Sequence, residues 1–213
     1  MSALASIQNE LPKDCRILAV SKLQPVSKIR ALLEQGQRAF GENYVQEARQ
    51  KQTELAEAAL EWHFIGSLQK NKAKDVVGRF DLIHSVDSLS LAEALDRRHD
   101  GTSAPQRILI QLNLAGEESK GGFSRTEFET AFEALIKLRR LEVAGLMTMP
   151  PLFENPEEAR PYFKKLRELR DDFARSHPAL KELSMGTSSD YRVAADEGAT
   201  WVRLGTVLFG ERP

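Results

Sequence analysis

The chain has 213 residues, with 30 lysines and arginines against 31 aspartates and glutamates and a single cysteine. That length buries a substantial core and fits one domain over residues 1–213, and a net charge of −1 offers no global attraction to nucleic acid or an anionic membrane. The lone Cys15 excludes an internal disulfide framework and a thiolate metal cluster, the start MSALASIQNELPKD lacks a secretory leader, and no stretch approaches roughly 18 apolar residues, so a cytoplasmic protein is expected.

In chain order, the first apolar run at 16–20 (RILAV) predicts a strand, with Ser21 and Lys22 directly behind it. Residues 26–35 carry Ile29, Leu32 and Leu33 at helical spacing and end at Gly36. A short strand at 38–40 leads to Gly41-Glu42-Asn43, and the Ala-, Glu- and Gln-rich segment 44–60 favours helix. Strands follow at 62–65 (WHFI) and 81–84 (DLIH); Lys70, Lys72 and Lys74 between them make either a basic patch or the wet face of a helix. Beyond the GTSAP loop at 101–105, a strand at 107–112 leads into a glycine-bearing loop at 113–123, either a lid or an ordinary surface loop. Ser124 with Glu127 reads as a capping box ahead of Phe128, Phe132 and Leu135. After a strand at 142–147, Asn155-Pro156-Glu157-Glu158 opens another helix, and Phe163, Leu166, Leu169 and Phe173 form a stripe suited to packing on a sheet. Strands at 183–185 and 201–204 complete the series.

Strands separated by helices imply right-handed crossovers and a parallel sheet. Eight such units suggest closure into a barrel, an open doubly wound sheet being the alternative. A barrel collects its chemistry at the carboxyl ends of its strands, where this chain places Lys22, Asn43, His63, His84, Thr148, Ser184 and Arg203 through Thr206. The Lys22 amine is a candidate to form a Schiff base with an aldehyde cofactor. Gly205 and Thr206, ahead of a short helix beginning near Val207, are a candidate phosphate turn with Ser184 and Gly186-Thr187-Ser188 opposite; glycine in a tight strand-to-helix turn is the plainer reading. Arg203 set against a pyridine-type nitrogen would donate a hydrogen bond without yielding its proton, leaving the ring a weak electron sink; an outward ion pair is its alternative. Met185 is placed to cover a ring face, whereas Met147 and Met149 are expected to fill core space. The four histidines are dispersed, with no short metal-ligand spacing, and His63 reads as a packed or hydrogen-bonded strand residue more readily than as a general base. Glu42 and Glu117 have no carboxylate partner at diagnostic spacing, and neither a dinucleotide fingerprint nor a nucleophile elbow is present.

The ordered set AVSKLQPV (19–26), FGENYVQEA (40–48), WHFIGSLQKNKAKDV (62–76), LIHSVDSLSLAEAL (82–95), GEESKGGF (116–123), GLMTMPP (145–151), EEARPYFKKLRELRD (157–171), LSMGTSSDY (183–191) and GATWVRLGTVLFG (198–210) resembles the pyridoxal phosphate homeostasis protein family, itself similar to the amino-terminal barrel of alanine racemase. The resemblance implies a modified TIM barrel, (β/α)8, with pyridoxal 5′-phosphate joined to Lys22. It also implies Asn43 near the cofactor, Arg203 facing the pyridine nitrogen, Ser184, Gly205 and Thr206 in the phosphate cradle, and Met185 beside it. Ser67 stands where the family commonly has histidine, and Thr187 where methionine is usual. The short segment before the first strand is expected to form a stunted first helix that leaves one barrel end more exposed.

The function implied is binding and intracellular homeostasis of pyridoxal phosphate, with delivery to apo-enzymes. Alanine racemases add a second domain, for which eight βα units leave no length here, so a non-catalytic protein is expected. Alternatives are a weak amino-acid racemase or other catalyst using the same cofactor, and a regulatory interaction protein that responds to cofactor occupancy. Expected partners are the cofactor, apo-enzymes and amino acids, with neither nucleic acid nor membrane, and the expected state is a monomer with a dimer as alternative.

Overall fold

The computed structural model describes residues 2–101, 103–117 and 120–210. Its strands are β1 (Arg16–Val20), β2 (Ala39–Glu42), β3 (Glu61–Phe64), β4 (Leu82–Val86), β5 (Gln106–Leu112), β6 (Leu141–Thr148), β7 (Glu182–Ser184) and β8 (Trp201–Leu204). All pair in parallel in the order β1 to β8, and β8 returns to β1, closing the barrel in register Leu18↔Arg203 and Ala19↔Leu204. The expected barrel is therefore the fold, and the open sheet is not.

The helices are α1 (Ala3–Glu10), α2 (Val26–Glu34), α3 (Val45–Glu54), α4 (Ala73–Val76), α5 (Leu89–Arg98), α6 (Arg125–Leu135), α7 (Arg160–Ala174), α8 (Tyr191–Asp196) and α9 (Thr206–Phe209). None among the described residues is long and apolar enough to cross a membrane. The capping box of α6 forms as expected, with Ser124 Oγ accepting from the Glu127 amide and the Glu127 carboxylate from the Ser124 amide. Ser124→Ala is expected to cost about 1 kcal/mol in a urea unfolding titration. The helix expected over 44–60 stops at Glu54. Leu55 leaves the helix at φ −117 with its side chain in the core, and Ala58 turns back onto its carbonyl, so that the chain reaches β3. Docking of one leucine overrides the helical propensity of the alanines that follow.

Alternation along each strand divides the core into two layers. Residues facing outward meet the helices, where Phe163, Leu166 and Leu169 of α7 are buried and Phe173 packs against them, as the stripe predicts. Residues facing inward fill the barrel with Leu18, Ala39, Leu82, Leu109, Ala144, Met147 and Trp201. The amino-terminal mouth carries a charged ring: Arg16 bonds Glu182 at 2.7 Å while stacking over the Trp201 ring at 3.8 Å, and Arg107 reaches both Glu182 and Glu142. The short α1 buries only Leu4 and Ile7, and a cavity of about 360 Å³ remains beside it, lined by Gln8, Arg16, Glu61 and Trp201.

Candidate functional site

At the opposite mouth, strand ends and the loops behind them enclose a cavity of about 580 Å³. Lys22 follows β1, Asn43 follows β2, Arg203 lies within β8, and Gly205 and Thr206 follow it; all line the cavity. Of the seven residues singled out as cofactor-binding in the sequence, these five are brought together.

Ser184 and Met185 are not on the lining, for different reasons. Ser184 points into the barrel and is fully buried, where its Oγ accepts from Arg203 Nη1 at 2.8 Å. It supports the site from behind Arg203. Met185 lies just past the end of β7 with its side chain fully buried in the outer apolar layer. Because neighbouring strand residues face opposite ways, an inward Ser184 sends Met185 outward, and its expected place over a ring face is corrected. Met149 moves the other way: expected in the core, it is 46% exposed and lines the cavity.

The Lys22 loop is held from below by a cluster not legible as a unit in the sequence. Lys51 of α3 is buried, and its Nζ donates to the Ser21 carbonyl at 2.6 Å, to Glu42 Oε1 at 2.8 Å and to Glu47 Oε1 at 2.6 Å. Ser21 Oγ donates to the same Glu42 oxygen at 2.6 Å, and the Leu23 amide donates to Glu47 at 2.6 Å. Both neighbours of Lys22 are thereby fixed, and Leu23 adopts φ +59, a left-handed turn that a leucine holds only when its surroundings impose it. Burial raises the Glu42 carboxyl above its ordinary pKa despite the bonds from Lys51 and Ser21. Its Oε2 has no partner among the described residues. The signal available in sequence was the Glu47 and Lys51 pair at helical i,i+4 spacing; Glu42 joins it only through the fold.

Asn43 sits where β2 ends against β3, and a Cβ on Gly66 would come within 2.1 Å of the Asn43 carbonyl oxygen, so glycine is required there. The buried Asn43 Oδ1 has no partner among the described residues. Arg203 is buried, donates to Ser184 Oγ and to the Thr148 carbonyl at 3.1 Å, and forms no ion pair among the described residues. Burial pulls its guanidinium down to about 10, which leaves it a cation at neutral pH. Ser188 Oγ accepts from the Gly205 amide at 3.2 Å, joining the turn after β7 to the turn after β8. Thr206 and Val207 begin α9, where the first amides have no intrahelical acceptor. A Cβ on Gly205 would meet no protein atom closer than Val20 Cβ at 3.8 Å, so the space above this glycine is cavity.

The loop after β5 forms a collar. Lys120 and Gly121 line the cavity, Lys120 Nζ donates to the Pro150 carbonyl, and Asn113 Nδ2 donates to the carbonyls of Glu117 and Lys120. Glu118 and Ser119 of the expected lid segment lie outside the described residues. Ser67 and Thr187, the positions that depart from the family pattern, both line the cavity. Thr187 is already occupied, its amide and hydroxyl donating to Asp190 Oδ1 at 2.6 and 2.9 Å. Among the described residues, no group of three or more His, Cys, Asp or Glu is arranged to hold a metal ion.

Comparison with known proteins places this geometry. The family model "Alanine racemase, N-terminal domain" matches residues 3–213. The pyridoxal phosphate homeostasis protein of Aquifex aeolicus is 48% identical over 198 residues, covering 92% of this chain and 87% of that protein. PipY of Synechococcus elongatus, solved without and with PLP bound, is 41% identical, with TM-scores of 0.92 and 0.91 and coverage of 98% of both chains. An alanine racemase from Clostridium difficile shares the fold at 16% identity and a TM-score of 0.81, with 99% of this chain matching 56% of that one. The chain belongs to the alanine racemase N-terminal domain family, among the pyridoxal phosphate homeostasis proteins.

Proposed function

We propose that this chain binds pyridoxal 5′-phosphate at the carboxyl-terminal mouth of the barrel, holds it through Lys22 as a Schiff base, and serves intracellular homeostasis of the cofactor by passing it to apo-enzymes. The observation that carries the reading is the convergence of Lys22, the Arg203 guanidinium and the Gly205 and Thr206 turn on one cavity. The residues fit the group. Among the described residues Arg203 offers a buried cation with no carboxylate paired to it and Asn43 Oδ1 lacks a partner, and the space above Gly205 admits an oxyanion beside the first amides of α9.

Bound there, pyridoxal phosphate supplies an aldehyde that condenses reversibly with amines. Lys22 supplies the amine, on a loop whose two sides are fixed by the cluster around Lys51. Arg203 has only donors to offer and stays protonated, so it orients a ring nitrogen without giving it a proton. That supports holding over turnover, because an unprotonated ring stabilises a carbanion poorly. Incubation with the cofactor, borohydride reduction, intact mass measurement and peptide mapping are expected to give one adduct, on Lys22; no adduct, or one elsewhere, sinks the reading. Exchange of amino-acid α-hydrogens in deuterium oxide is expected to stay at the Lys22→Ala background, and exchange above it would establish catalysis.

A further inference from the structure

Beneath the charged ring of the amino-terminal mouth, a file of polar side chains runs through the apolar barrel interior. Arg203 Nη1 donates to Ser184 Oγ at 2.8 Å, Ser184 Oγ meets His84 Nδ1 at 2.8 Å, His84 Nε2 meets His63 Nδ1 at 2.8 Å, and His63 Nε2 meets Glu61 Oε1 at 2.8 Å. Ser184, His84 and His63 are fully buried. The file begins at the cavity that Arg203 lines and ends at Glu61, which lines the separate cavity at the amino-terminal mouth. Glu61 has arginines 16 and 107 around it, and the edge of Trp201 packs on His63 at 4.6 Å between ring centroids.

The two ends fix the direction of the outermost bonds, and the tautomers of the two rings fix the rest. A guanidinium can only donate and a carboxylate can only accept. Glu61 accepts from His63 Nε2–H, and with His84 donating from Nε2 to His63 Nδ1 every bond of the file would run the same way. Nδ1 of a neutral His84 then accepts the Ser184 hydroxyl proton, and the Ser184 oxygen accepts from Arg203. Burial holds His84 well below the ordinary histidine pKa, in keeping with a neutral ring. No ring nitrogen or hydroxyl of the file is left without a partner. Burying two imidazoles along the barrel axis costs more than filling the same space with leucine and phenylalanine. The Arg203 Nη1 bond needs only the Ser184 hydroxyl, so the imidazoles behind it are not required to satisfy that donor.

We propose that Glu61, His63, His84 and Ser184 form a one-way hydrogen-bond relay that orients the Arg203 guanidinium and sets how strongly it donates into the cofactor cavity, so that the amino-terminal mouth is coupled to the carboxyl-terminal one. Each bond polarises the next, which spreads the charge of Arg203 toward Glu61. All four are positioning residues. The proposal rests on the cofactor reading for its effect at Arg203, whereas the relay itself exists without the cofactor.

The test begins on the cofactor-free full chain labelled with nitrogen-15 histidine. Proton–nitrogen correlation spectra near neutral pH are expected to show both rings neutral and protonated at Nε2. Nδ1 protonation at either ring overturns the relay. The Glu61→Gln variant alters a half-exposed side chain and is expected to fold; it should shift the His84 nitrogens, beyond His63, and speed release of pyridoxal phosphate into excess apo-acceptor by about tenfold. Unchanged His84 nitrogens, or unchanged release, overturns the coupling. Borohydride trapping on the wild-type chain separates the two failures: no Lys22 adduct refutes the cofactor reading, while the histidine spectra still decide the relay.

Discussion

Lys22→Ala is expected to abolish the borohydride-stable adduct and the visible absorption band of bound cofactor, and to weaken retention of pyridoxal phosphate about 100-fold, or ~2.7 kcal/mol. The rest of the cavity persists in this variant, because Arg203, Asn43 and the Gly205 and Thr206 turn are placed by other elements. Residual, non-covalent and salt-sensitive binding should therefore remain. Lys22 is half-buried on a loop held by its neighbours, so stability should change by no more than about 0.5 kcal/mol. Lys22→Arg separates charge from covalency, since a guanidinium keeps the cation but does not condense with the aldehyde. It should match the alanine variant in adduct formation. Equilibrium dialysis with mass spectrometry checks both, and an adduct of wild-type yield on either variant would refute the assignment.

The second large effect is on stability. Lys51→Met removes the cation that bridges Glu42, Glu47 and the Ser21 carbonyl, leaving a fully buried carboxylate without an ionic partner. Breaking a buried pair from one side is expected to cost about 3–5 kcal/mol in urea unfolding at neutral pH. The pH dependence follows from Glu42. Its carboxyl lies above the ordinary value already in the wild type, and losing Lys51 raises it further. The folded state then binds more protons than the unfolded state in the window above the ordinary carboxylate pKa, so stability falls as pH rises through that window. The deficit of Lys51→Met should shrink toward acid pH, and a deficit independent of pH would mean the cluster acts through packing alone. The same variant loosens the Leu23 turn, so slower reduction-trapping at Lys22 is expected to accompany it.

The barrel was legible because its βα alternation is repeated, and a miscounted short strand does not erase a period. Lys22, Asn43, Gly205 and Thr206 were legible because they stand directly behind strand ends, and Arg203 because it faces inward near the end of β8. Met185 follows Ser184 out of β7, but its amide still bonds the Trp201 carbonyl, so the side chain keeps the outward alternation of the sheet. Met149 was less accessible, because the backbone leaves the sheet after Thr148 and alternation no longer applies. The His63 and His84 contact depends on the offset of neighbouring strands, which no local pattern carries. Glu42 was judged by carboxylate spacing and found wanting, whereas its partner is an amine nine positions on, delivered by α3 folding back beneath β2.

The seam between β1 and β8 has a consequence for how the molecule comes together. Lys22 and Arg203 are near neighbours only because the first and last strands pair, with Leu18 beside Arg203. During synthesis the earlier strands and their helices can assemble while this seam is still open, and in that interval the Lys22 side stands without the Arg203 side. A ligand that grips both Lys22 and Arg203 spans the seam and favours the closed ring by mass action. The cofactor would thus act as a staple across the last join of the barrel, and its departure would be felt first as breathing of that join.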